Sequence, residues 1–296
     1  MTLESSTGAT PLVSIGIPVY NEESYICGTI ESLLEQTHAN IEIIISDNCS
    51  TDNTGELCRQ YADRYERVSY HLMEQNEGAA ANFNKVLQLA SGEYFLWASG
   101  HDLWHSEFIE RCVNVLKRHS KAVLAFGDST WIDENGDKLD REYGWSDTRG
   151  LHVIARYVTV LWGHMNPVLG LIRRDQLEDN ITLSMVGADL VILTRLAIAG
   201  DFVFAEGARW QRRDQRLEQS YTEKLERYKS KSFGLSGKSI LGAFPLLQLP
   251  IELIKVVLKS RLGFAEKSLL FLLVLFMFPF RYLVGKFFMK MGSGST

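Results

Sequence analysis

Two polar residues, His101 and Asp102, end an apolar and aromatic run that begins at Tyr94. Such a run is typical of a buried strand, and a strand that stops at Ser-Gly-His-Asp presents its last side chains at the carboxyl edge of a sheet. An aspartate offers the hard oxygen that Mg²⁺ and Mn²⁺ bind, and imidazole is tolerated better by Mn²⁺. The alternative is structural, since Asp102 or Ser106 would also suit the N-cap of a helix that starts near Glu107.

Two further strand ends carry polar residues. A continuous apolar strand over 12–20 runs into Asn21 and Glu22, and a second strand over 41–46 runs into Asp47. Because the carboxyl ends of parallel strands meet at one edge of a sheet, these side chains are expected to converge with the strand end described above. The chain contains neither GxGxxG nor GxxxxGK[ST], so a bound phosphate would be held by side chains and a metal rather than by a glycine-rich loop.

Three arginines lie within the short stretch 210–216. A guanidinium group matches a phosphate in charge and geometry, so Arg212 and Arg213 are candidates for binding a diphosphate. The alternative is structural, since the same arginines would suit a solvated, salt-bridged helix start before residues 218–229.

The strands that carry these residues alternate with helices in the pattern of a doubly wound parallel sheet. Apolar spacing predicts strands at 12–20, 41–46, 68–73 and 94–98, a helix over 26–34, a helix that ends near residue 64, and a helix at 79–90. Further along the chain it predicts strands at 121–126 and 168–172 and helices at 151–161 and 188–199. The sequence therefore indicates the α/β class, with a mostly parallel central sheet and flanking helices.

The composition is that of a globular chain without disulfide bonds. Its 296 residues are 46% hydrophobic and 23% charged, which is enough for one large domain or for a domain plus an appendage. The four cysteines show no CxxC spacing, so neither a disulfide framework nor a structural zinc site is expected, and a reducing compartment is indicated. Residues 1–10 are polar and lack the apolar stretch of a secretory signal.

Charge divides the chain near residue 230. Residues 231–296 contain nine Lys or Arg and two Glu, a net charge of +7, and because the whole chain carries −5, residues 1–230 carry −12. An acidic body argues against binding to nucleic acid, whereas a basic, apolar tail suits an anionic membrane surface. We therefore predict two domains, 1–230 and 231–296.

The tail contains two apolar segments. Residues 239–262 form an amphipathic stretch that Pro245 and Pro250 are expected to break. The uncharged run 268–280 is shorter than the roughly 20 residues that a spanning helix needs. We predict an apolar helical segment that associates with the membrane in the plane of the cytoplasmic leaflet, because its flanks are basic. A buried core helix and a dimerisation surface are the alternatives.

Five short motifs follow one another along residues 12–110. They are Pro18-x-Tyr20-Asn21-Glu22, Asp47-Asn-Cys-Ser50-Thr51-Asp52, Asn76-x-Gly78, Gly92-Glu93-Tyr94 and the strand end at Asp102. In order and spacing they resemble the amino half of inverting family 2 glycosyltransferases, which have the GT-A fold. Each motif alone is a weak signal, whereas five in this order are specific.

The resemblance implies roles for the matched residues. In that family the Pro-x-Tyr-Asn-Glu turn and the aspartate after the second strand hold the base and ribose, and a DXD segment holds a divalent cation. The residues implied to bind the nucleotide-sugar are Pro18, Tyr20, Asn21, Glu22, Asp47, Asn48, Asn76 and Gly78, with Arg212 and Arg213 added as phosphate candidates. Asp102 and His101 are the implied ligands for Mn²⁺ or Mg²⁺, and Ser99 and His101 stand where the family has acids.

The second half of the chain matches the family in reduced form. Family members carry Glu-Asp with an arginine seven positions after the Glu, and Ala188-Asp189 with Arg195 fits this frame without the Glu. The resemblance makes Asp189 the general base that takes the proton of the attacking hydroxyl. A helix start favoured by the dipole is the structural alternative. This half faces the acceptor in the family, and the acceptor-side candidates, unless they only pack locally, are Trp162, His164 and Asn166.

Together these features predict an inverting glycosyltransferase. It would move a sugar from a nucleotide-sugar donor, with a UDP-sugar favoured, to a hydroxyl of a lipid-linked or membrane-presented glycan. The expected cofactor is a divalent cation, and the expected location is the cytoplasmic face of a membrane. The missing acids at Ser99, His101 and Ala188 motivate an alternative, a non-catalytic nucleotide-sugar-binding or scaffold protein with a degenerate metal site.

Overall fold

The fold is a central sheet with helices packed against it. A computed structural model of the chain describes residues 10–141, 145–163, 166–177, 185, 187–214 and 245–276. The strands are β1 (Val13–Val19), β2 (Ile41–Asp47), β3 (Val68–Leu72), β4 (Tyr94–Trp97), β5 (Leu103–Trp104), β6 (Ala122–Ile132), β7 (Leu171–Arg173) and β8 (Asp201–Arg213). The helices are α1 (Ile26–Leu34), α2 (Thr54–Arg64), α3 (Ala79–Leu89), α4 (Phe108–Arg118), α5 (Val153–Trp162), α6 (Ala188–Ala199) and α7 (Pro245–Lys259). The predicted α/β class is confirmed.

The strand order is β3-β2-β1-β4-β7-β6-β8-β5. Strands β3, β2, β1 and β4 pair in parallel, and β6 pairs in parallel with β8, whereas β7 and β5 pair antiparallel to their neighbours. Because β7 reverses direction between β4 and β6, six strands share one direction and end at the same edge. The crevice between β1 and β4 is the point where the strand order reverses, which is where open α/β sheets bind ligands.

Strand β1 lies at the centre of the parallel half because its apolar run can be buried on both faces. Helix α3 packs so closely on it that a Cβ at Gly16 would lie 2.7 Å from the Val86 Cγ2 atom. The largest side chains in this core come from β4, where Tyr94, Phe95 and Trp97 are fully buried. A rigid, closely packed sheet therefore supports the strand ends that carry the polar residues.

Strand β8 is the main element that differs from the prediction. The predicted alternative of a helix start is wrong for Trp210 to Arg213, because these residues pair with β6 and β5; residues 215–229 lie outside the described residues. Burial alternates along 208–211, the period-two pattern of a half-buried strand. Two smaller differences concern the predicted strand 168–172, which is partly a 3-10 helix over Asn166–Leu169, and β6, which continues to Ile132.

The tail also differs from the prediction in one respect. Pro245 and Pro250 do not break it, because α7 starts at Pro245 and continues through Pro250. Proline is well suited to the first helical position, and an interior proline costs about 3 kcal/mol, which burial of Leu253 and Val257 in the core offsets. A further helix occupies 264–276. Within the described ranges, no helix has both the length and the apolar character needed to cross a bilayer. The predicted boundary at residue 230 lies outside them.

Candidate active site at the carboxyl edge of the sheet

The turn after β1 is clamped to the loop after β2 by side chains. Asn21 adopts a left-handed backbone conformation with φ 55°, which asparagine tolerates better than most residues. Its backbone N–H donates to Ser50 Oγ at 3.0 Å, and its side-chain oxygen accepts from the Thr51 N–H at 2.8 Å. The Glu22 N–H donates to Thr54 Oγ1 at 2.7 Å. Asn21 therefore shapes the predicted nucleotide-binding turn from within.

Asp47 is buried at the end of β2, with both carboxylate oxygens engaged. Oδ1 accepts from the Ser50 N–H and Oδ2 accepts from the Tyr70 hydroxyl, each at 2.8 Å. Burial and this bond to Asp47 raise the pKa of Tyr70, so the phenol stays a hydrogen-bond donor at neutral pH. The carboxylate of Asp47 is thereby held in one orientation at the sheet edge.

Asn48 joins the loop after β2 to the loop before α3. Its Nδ2 donates to Asn76 Oδ1 at 3.0 Å, and its Oδ1 accepts from the Glu77 N–H at 2.9 Å. Gly78 follows with φ 88°, a conformation that L side chains rarely adopt, and α3 begins at the next residue. The predicted residues Asn48, Asn76 and Gly78 thus lie together and build one rim of the site.

Tyr20 is the exposed aromatic side chain of this edge. It follows β1 directly and is 43% exposed, whereas Val19 before it is buried. An exposed aromatic ring next to rigid polar loops offers a stacking surface for a planar base. Pro18 lies one position inside β1 and is half-buried.

His101 faces the β1 turn across the crevice. Its Nδ1 lies 3.0 Å from Glu22 Oε1, and its side chain is about one quarter exposed. Desolvation alone would lower the pKa of His101, but the hydrogen bond and charge of Glu22 outweigh it and raise that pKa above its usual value. Gly100 permits this approach, because a Cβ there would lie 3.0 Å from Val19 and 3.1 Å from Glu22.

Asp102 is 0% exposed and bound to the end of β8. Its Oδ1 accepts from the Arg213 N–H at 3.0 Å, and the Arg213 guanidinium donates to the carbonyls of His101, Asp133 and Glu134. The predicted alternative of a helix cap is wrong, because α4 has Glu107 at its N-cap position and no side-chain capping bond. Burial raises the pKa of Asp102, while the charge of His101 opposes the rise.

The fit of a divalent cation can be judged from these donor atoms. Asp102 Oδ2 is buried without a hydrogen-bond partner among the described residues, and His101 Nε2 lies 4.0 Å from Asp102 Oδ1. Glu22 behind His101 is the type of partner that orients a metal-binding imidazole. The described ranges contain no cluster of three or more His, Cys, Asp or Glu side chains suited to a metal. The described residues thus provide two candidate donor groups, so the remaining ligands of a bound cation would have to come from outside them.

Arg212 links this segment to Asp189. Its positive charge opposes the rise in the pKa values of His101, Asp102 and Asp189. Its guanidinium lies over the Trp131 ring, 4.5 Å from the ring centre, on a different side of β8 from the contacts of Arg213. Arg212 and Arg213 thus make different contacts, Arg212 with the Trp131 ring and Arg213 with backbone carbonyls.

Asp189 lies in the first turn of α6, after the N-cap residue Gly187. Because α6 leads into the start of β8 through a short connection, the N-terminus of α6 lies at the carboxyl edge of the sheet. The Asp189 side chain is accessible at the surface, yet the surrounding protein desolvates its carboxyl and raises its pKa, while Arg212 lowers it. A surface carboxyl with a raised pKa at this edge of the sheet is a candidate functional group.

The acceptor-side candidates are less well described. Trp162 ends α5 and is half-buried, and Asn166 opens the 3-10 helix before β7. His164 lies outside the described residues. Arg195 lies on α6, six residues beyond Asp189.

Three site contacts were not foreseen from the sequence. They are the pairing of Glu22 with His101, the support of Asp47 by Tyr70, and the stacking of Arg212 on Trp131. Each joins residues far apart in the chain. The alternation along 208–211 was the one local signal that would have placed Arg212 and Arg213 on opposite faces of a strand.

Comparison with known proteins agrees with this architecture. The family model described as glycosyl transferase family 2 matches residues 14–181. The chain is 36% identical over 135 residues to Bacillus subtilis TuaG, named for teichuronic acid biosynthesis, covering 46% of this chain and 53% of TuaG. It is 29% identical over 144 residues to Escherichia coli chondroitin synthase, covering 48% of this chain and 21% of that protein. The chain thus spans about half or less of the length of these relatives.

The fold is also shared with solved structures. The crystal structure of S. aureus TarS 1–349 in complex with UDP-GlcNAc superposes with a TM-score of 0.66 at 20% identity, covering 90% of this chain and 73% of that chain. Its complex with UDP gives a TM-score of 0.62 at 17% identity, covering 88% of this chain and 69% of that chain. Because the family model covers more than half of the sequence, this chain belongs to glycosyl transferase family 2 and has the GT-A fold.

Proposed function

We propose that this chain transfers a sugar from a nucleotide-sugar to an acceptor hydroxyl with inversion at the anomeric carbon. The observation that carries the proposal is that the loop after β4, with His101 and Asp102, and the start of α6, with Asp189, both lie at the carboxyl edge of the sheet. A donor diphosphate bound near His101 and Asp102 would then lie in the same crevice as the carboxylate of Asp189, the proposed general base.

The donor would bind along the edge formed by the ends of β1 and β2. Tyr20 offers a ring for the base, and Asp47, held by Ser50 and Tyr70, offers a fixed carboxylate. A UDP-sugar is favoured, and the UDP and UDP-GlcNAc complexes of TarS, a protein of the same fold, support this choice. Asn21, Asn48, Asn76 and Gly78 would act by holding the loops in shape.

The reaction would proceed in one step. The acceptor oxygen forms a bond to the anomeric carbon as the bond from that carbon to the diphosphate oxygen breaks, and the acceptor proton passes to Asp189. The leaving diphosphate gains negative charge, which Arg212 would stabilise. A carboxylate suits the role of base here because its raised pKa brings it closer to that of a useful proton acceptor.

Arg213 has a different role in this proposal. Its guanidinium is already engaged by the carbonyls of His101, Asp133 and Glu134, so it would support the segment at His101 and Asp102 rather than bind phosphate. A divalent cation held by Asp102 and His101 would supply further positive charge to the diphosphate, with Mn²⁺ tolerating the imidazole better than Mg²⁺.

The acceptor is proposed to be a lipid-linked or membrane-presented glycan, and the site of action the cytoplasmic face of a membrane. The basic, apolar tail supports this proposal, because α7 packs against α6, the helix that carries Asp189. Trp162, His164 and Asn166 are proposed to lie on the acceptor side.

The test is Asp189→Asn in the full chain, assayed with UDP-GlcNAc and other UDP-sugars. Loss of the base should lower the transfer rate by about 10²- to 10⁴-fold while donor affinity stays within about twofold of wild type. The anomeric configuration of the product, read by NMR, reports inversion directly. Asp175→Asn, which changes an aspartate outside the site, is the matched control and should transfer at the wild-type rate.

Two results would count against the proposal. Transfer by Asp189→Asn at the wild-type rate would remove Asp189 from the role of base. A wild-type chain that binds a UDP-sugar but transfers it to no acceptor and hydrolyses none would favour the alternative, a non-catalytic nucleotide-sugar-binding or scaffold protein.

A further inference from the structure

Exposed apolar side chains concentrate in one part of the described chain. Seven of its ten exposed large hydrophobic residues lie between 258 and 276. Phe264 is 88% exposed and Phe276 is 69% exposed. Soluble proteins rarely leave a contiguous patch of this kind in water, and such patches mark binding surfaces.

This part of the chain has a separate inner face. Leu253 and Val257 of α7 and Leu270 and Val274 of helix 264–276 are fully buried and join the main core. Helix 264–276 therefore already packs against the body on one side. Its outward side is a second apolar face, which the core does not need and which faces solvent in the described structure.

The outward face is flanked by basic residues. Lys255, Lys259 and Arg261 are exposed around the end of α7, and Lys267 lies at the first turns of helix 264–276. From Ser268 to Phe276 the sequence has no charged residue. The combination of an apolar face with a basic border complements an anionic lipid surface, where the apolar groups enter the headgroup boundary and the cations remain among the headgroups.

We propose that the tail face, formed by Leu258, Phe264, Leu269, Leu272, Leu275 and Phe276, docks on an anionic lipid bilayer. Helix 264–276 lies in the plane of the interface, because its inner side stays packed on the protein.

This docking proposal adds a lipid partner to the proposed function, and its biological relevance depends on that function. Leu249 at the start of α7 touches Gly187, two residues before Asp189, since a Cβ at Gly187 would lie 2.7 Å from Leu249 Cδ2. Of the two helices that form the tail face, α7 is thus the one that packs beside the helix of the proposed base. An acceptor held in the same bilayer would be presented on the flank of the molecule that carries Asp189.

The test is flotation of the full chain with vesicles of phosphatidylcholine alone and of phosphatidylcholine with about 30% phosphatidylglycerol. Wild type should float with the anionic vesicles, less so as salt rises. Leu272→Glu and Phe276→Glu should each reduce the bound fraction by about tenfold or more. Leu72→Glu is the matched control, because Leu72 is 54% exposed and Leu272 47% exposed, and it should bind like wild type.

Several results would overturn the proposal. They are absence of wild-type flotation with anionic vesicles, equal flotation of Leu272→Glu, and equal loss in Leu72→Glu. If light scattering shows a wild-type dimer that Leu272→Glu converts to a monomer, with no binding to vesicles, the face binds a second copy instead. A UDP-GlcNAc thermal shift measured on each variant separates this test from that of the proposed function, since the tail variants should retain the shift.

Discussion

Glu22 and His101 change how the site should be understood at the scale of single residues. The sequence places Glu22 in a turn that resembles a nucleotide-binding motif, but its carboxylate lies 3.0 Å from the imidazole of His101. Where the family has an acid, this chain has a histidine, and a histidine can pair with Glu22 where an acid would be repelled. Glu22 therefore acts, in this geometry, on the loop between β4 and β5 that carries His101.

Asp189 and Arg212 give a pH dependence that can be measured. Transfer requires an ionised base, so kcat/KM should rise with pH through the pKa of Asp189, which desolvation holds above its usual range near 3.9. Arg212 lowers that pKa, so Arg212→Gln should move the acid limb of the profile to higher pH.

Arg209→Gln is the matched control for this prediction. Arg209 lies on the same strand, and its charge acts on Glu107, away from the site. The acid limb of the kcat/KM profile of Arg209→Gln should coincide with that of wild type. An unchanged limb in Arg212→Gln would mean that Arg212 does not act on the base.

At the scale of elements, the start of α6 is held by its contact with α7. Gly187 is the N-cap residue with φ 81°, and Leu249 packs where a side chain would project. The tail is therefore part of the surface that fixes the helix of the proposed base. A sequence division at residue 230 does not capture this contact, because α7 contributes Leu253 and Val257 to the core.

Gly187→Ala tests this contact. A left-handed backbone at a non-glycine residue costs about 1–3 kcal/mol, and the clash with Leu249 adds to it, so the free energy of unfolding in urea should fall. Gly150→Ala is the matched control, because Gly150 has φ 75° with no atom within 4 Å of its Cβ position. Gly187→Ala should destabilise the protein more than Gly150→Ala, and Leu249→Ala should relieve the difference. If the free energy of unfolding falls equally in the two glycine variants, the contact with Leu249 does not contribute to it.

At the scale of the whole molecule, a bound donor should appear as increased thermal stability. A ligand that binds the folded chain adds about 2.7 kcal/mol at a concentration of 100 times its Kd. Because Asp102 and His101 are the proposed ligands of a divalent cation, the part of this rise in Tm that depends on the cation can be measured. We expect UDP-GlcNAc to raise Tm more with Mn²⁺ than with Mg²⁺, and His101→Asp to increase the Mg²⁺ response, because Mg²⁺ prefers oxygen.

The same Tm measurement in EDTA can contradict the proposed cation site. If UDP-GlcNAc raises Tm equally in EDTA, Mg²⁺ and Mn²⁺, the proposed ligand role of Asp102 and His101 fails, while donor binding stands. Ser129→Asp, which adds an acid on β6 outside the site, controls for a general effect of added charge.

The sequence by itself determined the order of strands and helices from β1 through β4 and the identity of the residues at the strand ends. These features are local: apolar runs, helical spacing and short polar turns report on their own segments. Tyr20, Asp47 and His101 could be assigned to one sheet edge because parallel strands of a doubly wound sheet must end together. The family could be named from the same motifs, since each belongs to a short stretch of chain.

Only the tertiary structure decided which of these residues touch. The pairing of Glu22 with His101 depends on β1 lying beside β4. The binding of Asp102 to the backbone of Arg213 and the different contacts of Arg212 and Arg213 depend on β8 lying beside β5 and β6. Such contacts join residues 79 and 111 positions apart. No local propensity encodes them, because their energy comes from packing and hydrogen bonds that exist only once the sheet is assembled.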